Sequence, residues 1–378
     1  MNQPNTVPLQ PSDLRGLSRL AIDGVVGVTD LVEHLHASIS APYRRSPQRA
    51  HGLTGAIYGS VRGITRLVGG SIDLALAPLG SGVDDPSSTR RIDVQSVLNG
   101  VLGDYLADTN NPLAIELDLL HQGKSILRES RMPEVDSASR QVVLFIHGLC
   151  LHPGRWGAEL SESLPARLAQ RADCTILHLH YNTGRAIDAN GRALANVLDE
   201  MIKRWPVDVE QITLIGHSMG GLVARSAAHH AQSAGHQWAG RLQRIVTLGT
   251  PHLGAPLERA GHRVDQLFGI SRYSRPFARL SALRSAGITD LRWGITGNRL
   301  INDPLPAGAT LHLVAGSRSE AGSRVESGDG LVPVESALAA GQWRCSQRVD
   351  RIRFHECSHL ELMRHPAVID YVDRALAD

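Results

Sequence analysis

At 378 residues, the chain is long enough to bury one large hydrophobic core or two smaller ones. Hydrophobic residues make up 42% of the chain and charged residues 20%, which is an ordinary composition for a globular protein. The net charge is +2 and no long run of one sign occurs, so the sequence gives no argument for nucleic-acid binding.

The amino terminus has no basic segment followed by an apolar one, so we expect no secretory signal and a cytoplasmic location. The chain contains four cysteines, and these are Cys150, Cys174, Cys345 and Cys357. Their spacing does not match that of a metal site, and a cytosolic location would keep them reduced. We therefore expect free thiols.

Residues 1–110 are predicted to form a helical region. Apolar residues recur there at helical spacing in three segments, which are Leu17–Ile39, Leu53–Leu76 and Val94–Leu106. The second segment carries Gly55, Gly59 and Gly63, a smooth stripe that lets another helix approach closely. The charged residues Arg62, Arg66 and Asp73 leave no uncharged run of about 18 residues, which weakens the interpretation as a transmembrane helix. We favour helices packed on the main domain over peripheral attachment to a membrane surface.

Residues 111–378 alternate between strands and helices after an opening hairpin. The hairpin is predicted to pair a strand over Leu113–Leu119 with a short strand after the turn at Gln122 and Gly123. The later strands are predicted at Val142–Ile146, Cys174–Leu179, Ile212–Ile215, Arg244–Leu248, Thr310–Val314 and Val349–Phe354. The helices are predicted at Glu159–Gln170, Ala186–Trp205, Met219–Ala231, after Pro256 and at Glu361–Ala377.

This alternation predicts an α/β fold with a mostly parallel sheet of about eight strands and helices on both faces. In such sheets, functional residues lie at the carboxyl ends of the strands. Each candidate residue can be tested against that rule.

The first candidate is Ser218, in the sequence Gly-His-Ser-Met-Gly between a predicted strand and a predicted helix. A serine at the apex of such a turn can act as a nucleophile, and the flanking glycines allow tight packing. The helix that follows directs its amino terminus, which favours developing negative charge, towards the same point. The alternative is a glycine-rich turn in which the serine has no role.

An oxyanion hole is predicted from two backbone N–H groups. One belongs to Met219, directly after the candidate nucleophile. The other belongs to Leu149, in the loop His147-Gly148-Leu149 that follows an earlier strand. We interpret His147 as a structural residue that holds this loop.

Asp329 is the candidate acid, because it lies between two glycines in a loop after the strand Thr310–Val314. Glu326 is an alternative in the same loop, whereas Asp303 precedes the strand and is poorly placed. The candidate base must follow the last strand, where His355, His359 and His365 occur. Position selects His359, since it falls in the short loop between the strand and the final helix.

The resulting order is serine, aspartate and histidine, which is the order found in α/β-hydrolases. Residues 112–378 resemble an α/β-hydrolase of the lipase/esterase type, through sequences such as GHSMGGLVAR, TLGTPHLGAP, GDGLVP and SHLELM. The loop Gly249–Pro256 is similar to one in bacterial lipases and in the GPI inositol-deacylase-like group. The resemblance implies hydrolysis of carboxylic esters without a cofactor, with a triad of Ser218, Asp329 and His359. The sequence shows no clear calcium or zinc site of the kind that some secreted lipases carry.

A helical cap insertion is predicted over residues 256–306, and residues 111–378 are predicted to form the catalytic domain. Apolar side chains of the insertion could line an acyl pocket or bury the underside of the cap, and these are Leu267, Phe268, Ile270, Phe277, Leu280 and Leu283. The substrate is expected to be a small-molecule or lipid ester, with a medium-length acyl chain as the first guess. The sequence does not indicate the oligomeric state.

Other functions remain open from the sequence. The same three residues could serve an acyltransferase, a thioesterase or a phospholipase. A binding protein without catalytic activity is a further alternative, but it would have no need of a complete set of catalytic residues.

Overall fold

The computed structural model describes residues 11–40, 59–63, 65–66, 89–127, 138–157, 160–171, 173–255, 285–294, 305–322, 328–340 and 348–377. The chain divides into two compact units. The smaller unit contains Met1–Ile92 and Leu106–Ala114, and the larger contains Asp93–Tyr105 and Ile115–Asp378. The predicted domain boundary near residue 110 remains a prediction.

The smaller unit is mostly helical in its described part. Helix α1 spans Pro11–Ser40, residues 59–63 and 65–66 are also helical, and helix α2, Thr89–Asp108, begins in this unit. Ion pairs between described residues join these helices, including one between Arg91 and Asp13 at 2.6 Å and one between Arg62 and Asp30 at 2.8 Å. Within the described ranges, no helix is both long enough and apolar enough to cross a bilayer.

The larger unit is built on one sheet of eight strands. The strands are β1 (Asp118–His121), β2 (Lys124–Ser125), β3 (Gln141–Ile146), β4 (Cys174–His180), β5 (Gln211–His217), β6 (Leu242–Leu248), β7 (Thr310–Gly316) and β8 (Val349–Phe354). Their order across the sheet is β2-β1-β4-β3-β5-β6-β7-β8. Strand β1 is antiparallel to both of its neighbours, and the other six strands are parallel. The predicted fold class is confirmed.

Helices and short 3₁₀ turns connect the strands. The helices are α3 (Leu164–Ala169), α4 (Ile187–Arg204), α5 (Met219–Ala234), α6 (Ala286–Trp293), α7 (Val334–Ala337) and α8 (Pro366–Ala377). Turns of 3₁₀ helix lie at Pro153–Trp156, Gln237–Arg241 and Glu361–Met363. Helices α4 and α5 pack against each other, and α5 also lies against β3, β5 and β6.

The core follows from the period of the strands. Along β3, Val143 and Phe145 project to one face, where they join a cluster with apolar residues of α3 and α8. Leu144 and Ile146 project to the other face and are fully buried as well. A central parallel strand that is covered on both faces therefore reads as an unbroken apolar run.

The predicted first strand is too long, because only Asp118–His121 is strand. At residues 113 and 115, backbone N–H groups donate hydrogen bonds to side chains and not to a neighbouring strand. The N–H of Leu113 donates to the Asn111 Oδ1 at 2.9 Å, and the N–H of Ile115 donates to the Asn99 Oδ1, also at 2.9 Å. Alternating apolar residues therefore mark buried positions here without a strand.

Two predicted helices also differ from the structure, and proline explains both differences. Helix α3 begins only after Ser163, whose Oγ accepts the N–H of Ala166 at its amino end, with Pro165 in the first turn. The predicted helix Glu361–Ala377 is divided into the 3₁₀ turn and α8, because Pro366 lacks an N–H and disfavours a helical residue before it.

Buried neutral histidines make the stability of this fold depend on pH. The His178 ring on β4 stacks on Phe145 with 5.4 Å between ring centroids, and burial lowers its pKa to about 4. In the unfolded chain its pKa returns to about 6.5. Acid therefore protonates the unfolded state first, and stability is lost as pH falls from about 6.5 towards 4.

We expect His178→Phe to reduce this acid sensitivity. Between pH 8 and pH 5, His178 alone accounts for a loss of about 2 kcal/mol in the free energy of unfolding. Urea unfolding at both pH values would measure the loss for wild type and variant. If the two proteins lose the same free energy, His178 is protonated in the folded state and the assignment fails.

Candidate active site

Ser218 stands at the sharp turn between β5 and α5, where the sequence predicts a nucleophile. Its backbone has φ 53° and ψ −123°, a conformation that residues with a side chain rarely adopt. Strain of this kind costs about 1–3 kcal/mol and persists only where the surrounding structure enforces it. The Ser218 N–H donates a 2.8 Å hydrogen bond to the carbonyl of Leu248, so the turn is fixed at the carboxyl edge of the sheet.

The two glycines that flank this turn are required by close packing. A Cβ atom on Gly216 would stand 2.4 Å from the nitrogen of Gly221. One on Gly220 would stand 2.2 Å from the carbonyl oxygen of Ile146, at the end of β3. A larger residue at either position would push α5 away from the sheet and move Ser218.

Asp329 and His359 form a buried pair. The imidazole Nδ1 lies 2.7 Å from the carboxylate Oδ2, and the two side chains are 4% (His359) and 1% (Asp329) exposed. The other carboxylate oxygen, Oδ1, accepts the N–H groups of Leu331 at 2.9 Å and Val332 at 2.7 Å. The His359 N–H also donates to the Asp329 carbonyl at 3.0 Å. Both side chain and backbone therefore hold the imidazole against the carboxylate.

The charge of this pair follows from its partners. Burial by itself raises the pKa of the Asp329 carboxyl, but the charge and hydrogen bond of His359 and the two backbone N–H groups outweigh burial, so the pKa is lowered. The carboxylate is thus ionised at neutral pH and accepts the Nδ1 proton. The Nε2 atom of the neutral imidazole is then a proton acceptor.

Gly249 is a site residue that sequence reasoning missed. It follows β6 with φ 61°, and a Cβ atom there would lie 3.0 Å from the Asp329 Oδ2 and 3.1 Å from the His359 Nδ1. Glycine is therefore needed both for the backbone conformation and for the space that the pair occupies. Its place directly after an apolar strand was the available signal.

His217, next to the candidate nucleophile, was also missed. Its ring is fully buried, and its Nε2–H donates a 2.8 Å hydrogen bond to the backbone carbonyl of His359. The two rings lie 4.7 Å apart between centroids. Burial, followed by the neighbouring His359, lowers the pKa of His217 to about 3, so it is neutral. The turn from β5 to α5 that carries Ser218, which we call the elbow, and the loop that carries His359 are thus joined by a direct contact.

The loop His147-Gly148-Leu149, which carries one predicted oxyanion donor, lies against the turn of Ser218. A Cβ atom on Gly148 would stand 3.0 Å from the Ser218 Cβ, so a side chain there would crowd the candidate nucleophile. Within the described ranges, neither the Leu149 N–H nor the Met219 N–H donates a hydrogen bond. Both groups lie at the carboxyl ends of strands and remain candidate oxyanion donors.

His147 holds this loop from beneath. It is buried, its Nδ1–H donates to the Gly148 carbonyl at 3.0 Å, and its own carbonyl accepts the Tyr181 hydroxyl at 2.7 Å. Burial lowers the pKa of His147 well below its usual value, so the ring is neutral. These contacts fit the structural part that the sequence suggested for it.

Of the three candidate histidines, His359 is the one that meets Asp329. The Nδ1 of His355 instead faces the carbonyl of Ser319 at 3.3 Å, and the His365 ring lies 6.3 Å from that of Phe354. Several other candidates lie outside the described residues, and these are Glu326, Asp303 and the proposed pocket residues Leu267, Phe268, Ile270, Phe277, Leu280 and Leu283.

In the described part of the chain, no group of three or more histidine, cysteine, aspartate or glutamate side chains is arranged to hold a metal ion. Cys150, Cys174 and Cys357 are free thiols, and Cys345 lies outside the described residues. Burial raises the pKa of Cys174 to about 11 and that of Cys357 to about 12, so neither is a reactive thiolate at neutral pH.

The sheet order and the serine turn after β5 define an α/β-hydrolase fold. Residues 137–281, less than half of the chain, match the model of a family described as PGAP1-like alpha/beta domain. The match begins before β3 and includes the loop His147-Gly148-Leu149 and the turn of Ser218, but it ends before Asp329 and His359. A search among curated proteins found no similar sequence.

Similar solved structures include a lipase of Bacillus licheniformis in its mature form, at 18% identity and a TM-score of 0.46. The similarity covers 69% of this chain and 97% of the lipase. An esterase of Pyrococcus furiosus is 17% identical, with a TM-score of 0.44, over 64% of this chain and 83% of the esterase. An esterase of Thermogutta terrifontis is 18% identical, with a TM-score of 0.42, over 70% of this chain and 93% of the esterase.

Proposed function

We propose that this protein is a serine hydrolase that cleaves carboxylic esters through an acyl-enzyme on Ser218. The observation that carries the proposal is the buried hydrogen bond between His359 and Asp329, linked through His217 to the strained turn of Ser218. A structural serine on a glycine-rich turn would have no need of a buried imidazole–carboxylate pair beside it. Such pairs activate nucleophiles in hydrolases of unrelated folds.

The first half of the reaction transfers the acyl group to the enzyme. The Nε2 of His359 takes the hydroxyl proton as the Ser218 oxygen bonds to the ester carbonyl carbon. Asp329 holds the imidazole in the required tautomer and stabilises the imidazolium that forms. The N–H groups of Leu149 and Met219 receive the oxyanion. The C–O bond to the alcohol then breaks, and the Nε2 proton goes to the leaving oxygen.

The second half releases the acid. Water enters as the alcohol leaves, and His359 takes a proton from it as its oxygen attacks the acyl carbon. The intermediate again carries an oxyanion between the same two N–H groups. It collapses by breaking the bond to Ser218, which recovers the proton from His359. Atoms and protons balance over the cycle, and no external redox partner is required.

A fluorophosphonate probe tests this proposal directly. We expect it to label one serine, and mass spectrometry of the digested protein should place the label on the peptide containing Ser218. Prior incubation with a short nitrophenyl ester should slow the labelling, because substrate and probe compete for one site. Labelling of a different serine, or equal labelling of Ser218→Ala, would refute the assignment.

The natural acceptor and acyl chain length require product analysis. With nitrophenyl esters of increasing chain length, we expect the highest kcat/KM at an intermediate length. Hydrolysis predicts free acid as the product, whereas accumulation of a new ester when an alcohol is added would identify an acyltransferase. A strong preference for thioesters over oxygen esters would identify a thioesterase.

A further inference from the structure

We propose that one segment of α2, Asp93–Tyr105, is a positioning element for the Leu149 N–H. We call it the clamp segment, and we call Gly148–His152 the oxyanion loop. The inference rests on the proposed function, because it takes the Leu149 N–H as an oxyanion donor. The clamp segment belongs to the same compact unit as the sheet. No part of the reaction described above uses it.

The clamp segment meets the oxyanion loop at Gly100, where the two pack closely. A Cβ atom on Gly100 would stand 2.0 Å from the Cys150 Sγ and 3.3 Å from the Cys150 Cα. The helix therefore has a notch at Gly100, and the Cys150 side chain fills it. Cys150 is 5% exposed, and its Sγ approaches the Val97 carbonyl on the same helix at 4.0 Å.

The loop residue held in that notch has a strained backbone. Cys150 has φ 59°, a conformation that favours glycine, in a turn closed by a 3.2 Å hydrogen bond from the Leu151 N–H to the Gly148 carbonyl. On its other side, the Cys150 N–H donates to the Thr183 Oγ1 at 3.1 Å. Leu149 lies inside this turn, so the direction of its N–H depends on how Cys150 is held.

A second contact fixes the end of the oxyanion loop. The His152 Nε2 lies 2.9 Å from the Asp93 Oδ1, at the start of the clamp segment, and the Arg155 guanidinium meets the same carboxylate oxygen. The His152 side chain is 6% exposed and that of Asp93 is 21% exposed, so most of this pair is buried. Together, Gly100 and Asp93 hold the loop at two points about two helical turns apart.

The clamp segment also anchors the neighbouring loops. Asn182 lies in the loop after β4, and its Nδ2 donates to the Gly103 carbonyl at 2.7 Å. The Ser285 hydroxyl donates to the Gly100 carbonyl at 2.7 Å, and the Ala286 N–H donates to the Asp104 Oδ2 at 3.0 Å, at the start of α6. The clamp segment, which is kinked at Leu102, therefore contacts three loops at the carboxyl edge of the sheet.

This arrangement has a measurable consequence for catalysis. An oxyanion donor acts only within about 2.7–3.1 Å of the oxygen it stabilises, and misplacement by about 1 Å costs on the order of a hundredfold in rate. A methyl group on Gly100 would displace Cys150 and with it the Leu149 peptide. It would leave Ser218, Asp329 and His359 untouched.

The test is Gly100→Ala in the full chain, with kcat expressed per serine that a fluorophosphonate can label. We expect kcat for a short nitrophenyl ester to fall about tenfold to a hundredfold while KM changes less than threefold. Affinity for an alkyl boronic acid, which becomes tetrahedral on Ser218, should fall in parallel with kcat. Gly240→Ala is the matched control, since a Cβ atom there meets nothing within 4 Å, and its kcat should equal that of wild type.

A size exchange separates positioning from general damage to the fold. Cys150→Gly removes the Sγ atom and suits φ 59°, so Gly100→Ala combined with Cys150→Gly should recover kcat to within about threefold of the Cys150→Gly protein. If Gly100→Ala does not fold, Asp93→Ala provides the second arm, with an expected threefold to tenfold loss of kcat. Asp93→Asn, which keeps an acceptor oxygen for His152, should lose less.

The outcomes distinguish this inference from the proposed function. If the wild-type protein shows no hydrolysis that depends on Ser218, both the proposed function and this inference are refuted. An active wild type with unchanged kcat and boronic acid affinity in Gly100→Ala and Asp93→Ala would remove the inference alone. The inference also fails if Gly100→Ala lowers activity only by lowering the fraction of protein that the fluorophosphonate labels, with kcat per labelled serine unchanged.

Discussion

Replacing Ser218 with alanine is expected to reduce hydrolysis of a nitrophenyl ester by about 10⁴-fold or more. The proposed mechanism forms a covalent bond to the Ser218 oxygen, and alanine has no atom that can replace it. The other candidate residues remain in place, so substrate binding should persist. The measurement is kcat/KM under conditions in which the uncatalysed rate has been subtracted.

Ser226→Ala is the matched control for this experiment. Ser226 lies two helical turns further along α5, it is fully buried, and its hydroxyl has no hydrogen-bond partner in the described part of the chain. Removing that hydroxyl should leave kcat/KM within about twofold and thermal stability nearly unchanged. If Ser218→Ala keeps substantial activity, or loses no more activity than Ser226→Ala, then Ser218 is not the nucleophile.

The central strands and the elbow could be predicted because their signals are local. Strands β3 to β7 contain short apolar runs bounded by turn residues, and the strand that precedes Ser218 leads directly into Gly-x-Ser-x-Gly. Since parallel strands end at one edge, their order along the chain was enough to select Asp329 and His359 for the same region. No distance between distant residues had to be known.

The residues that were missed act through contacts between distant parts of the chain. Gly249 matters because Asp329 and His359 occupy the space beside it, and His217 matters because it meets the His359 carbonyl, 142 residues further along. Likewise, from the sequence alone Gly100 only lowers helix propensity, whereas the structure shows that the Cys150 side chain occupies the space beside it. Spacing along a sequence carries no information about such pairs, because the fold alone brings them together.

Asp329→Asn is expected to reduce kcat by about 10⁴-fold, through the tautomer of His359. The Asp329 Oδ1 accepts two N–H groups, from Leu331 and Val332, so in the variant the amide oxygen must take that place. The amide NH₂ then faces the His359 Nδ1, which becomes an acceptor and moves the ring proton to Nε2. An imidazole protonated at Nε2 cannot take the Ser218 proton.

Two comparisons make this prediction specific to Asp329. Asp370→Asn makes the same chemical change in a half-exposed carboxylate paired with Arg167, and kcat should stay within about twofold. Glu326→Gln tests the alternative acid of the same loop and should also leave kcat nearly unchanged. If Glu326→Gln instead loses activity while Asp329→Asn retains it, Glu326 orients the imidazole. The hydrogen bond between Asp329 and His359 would then have a structural role only.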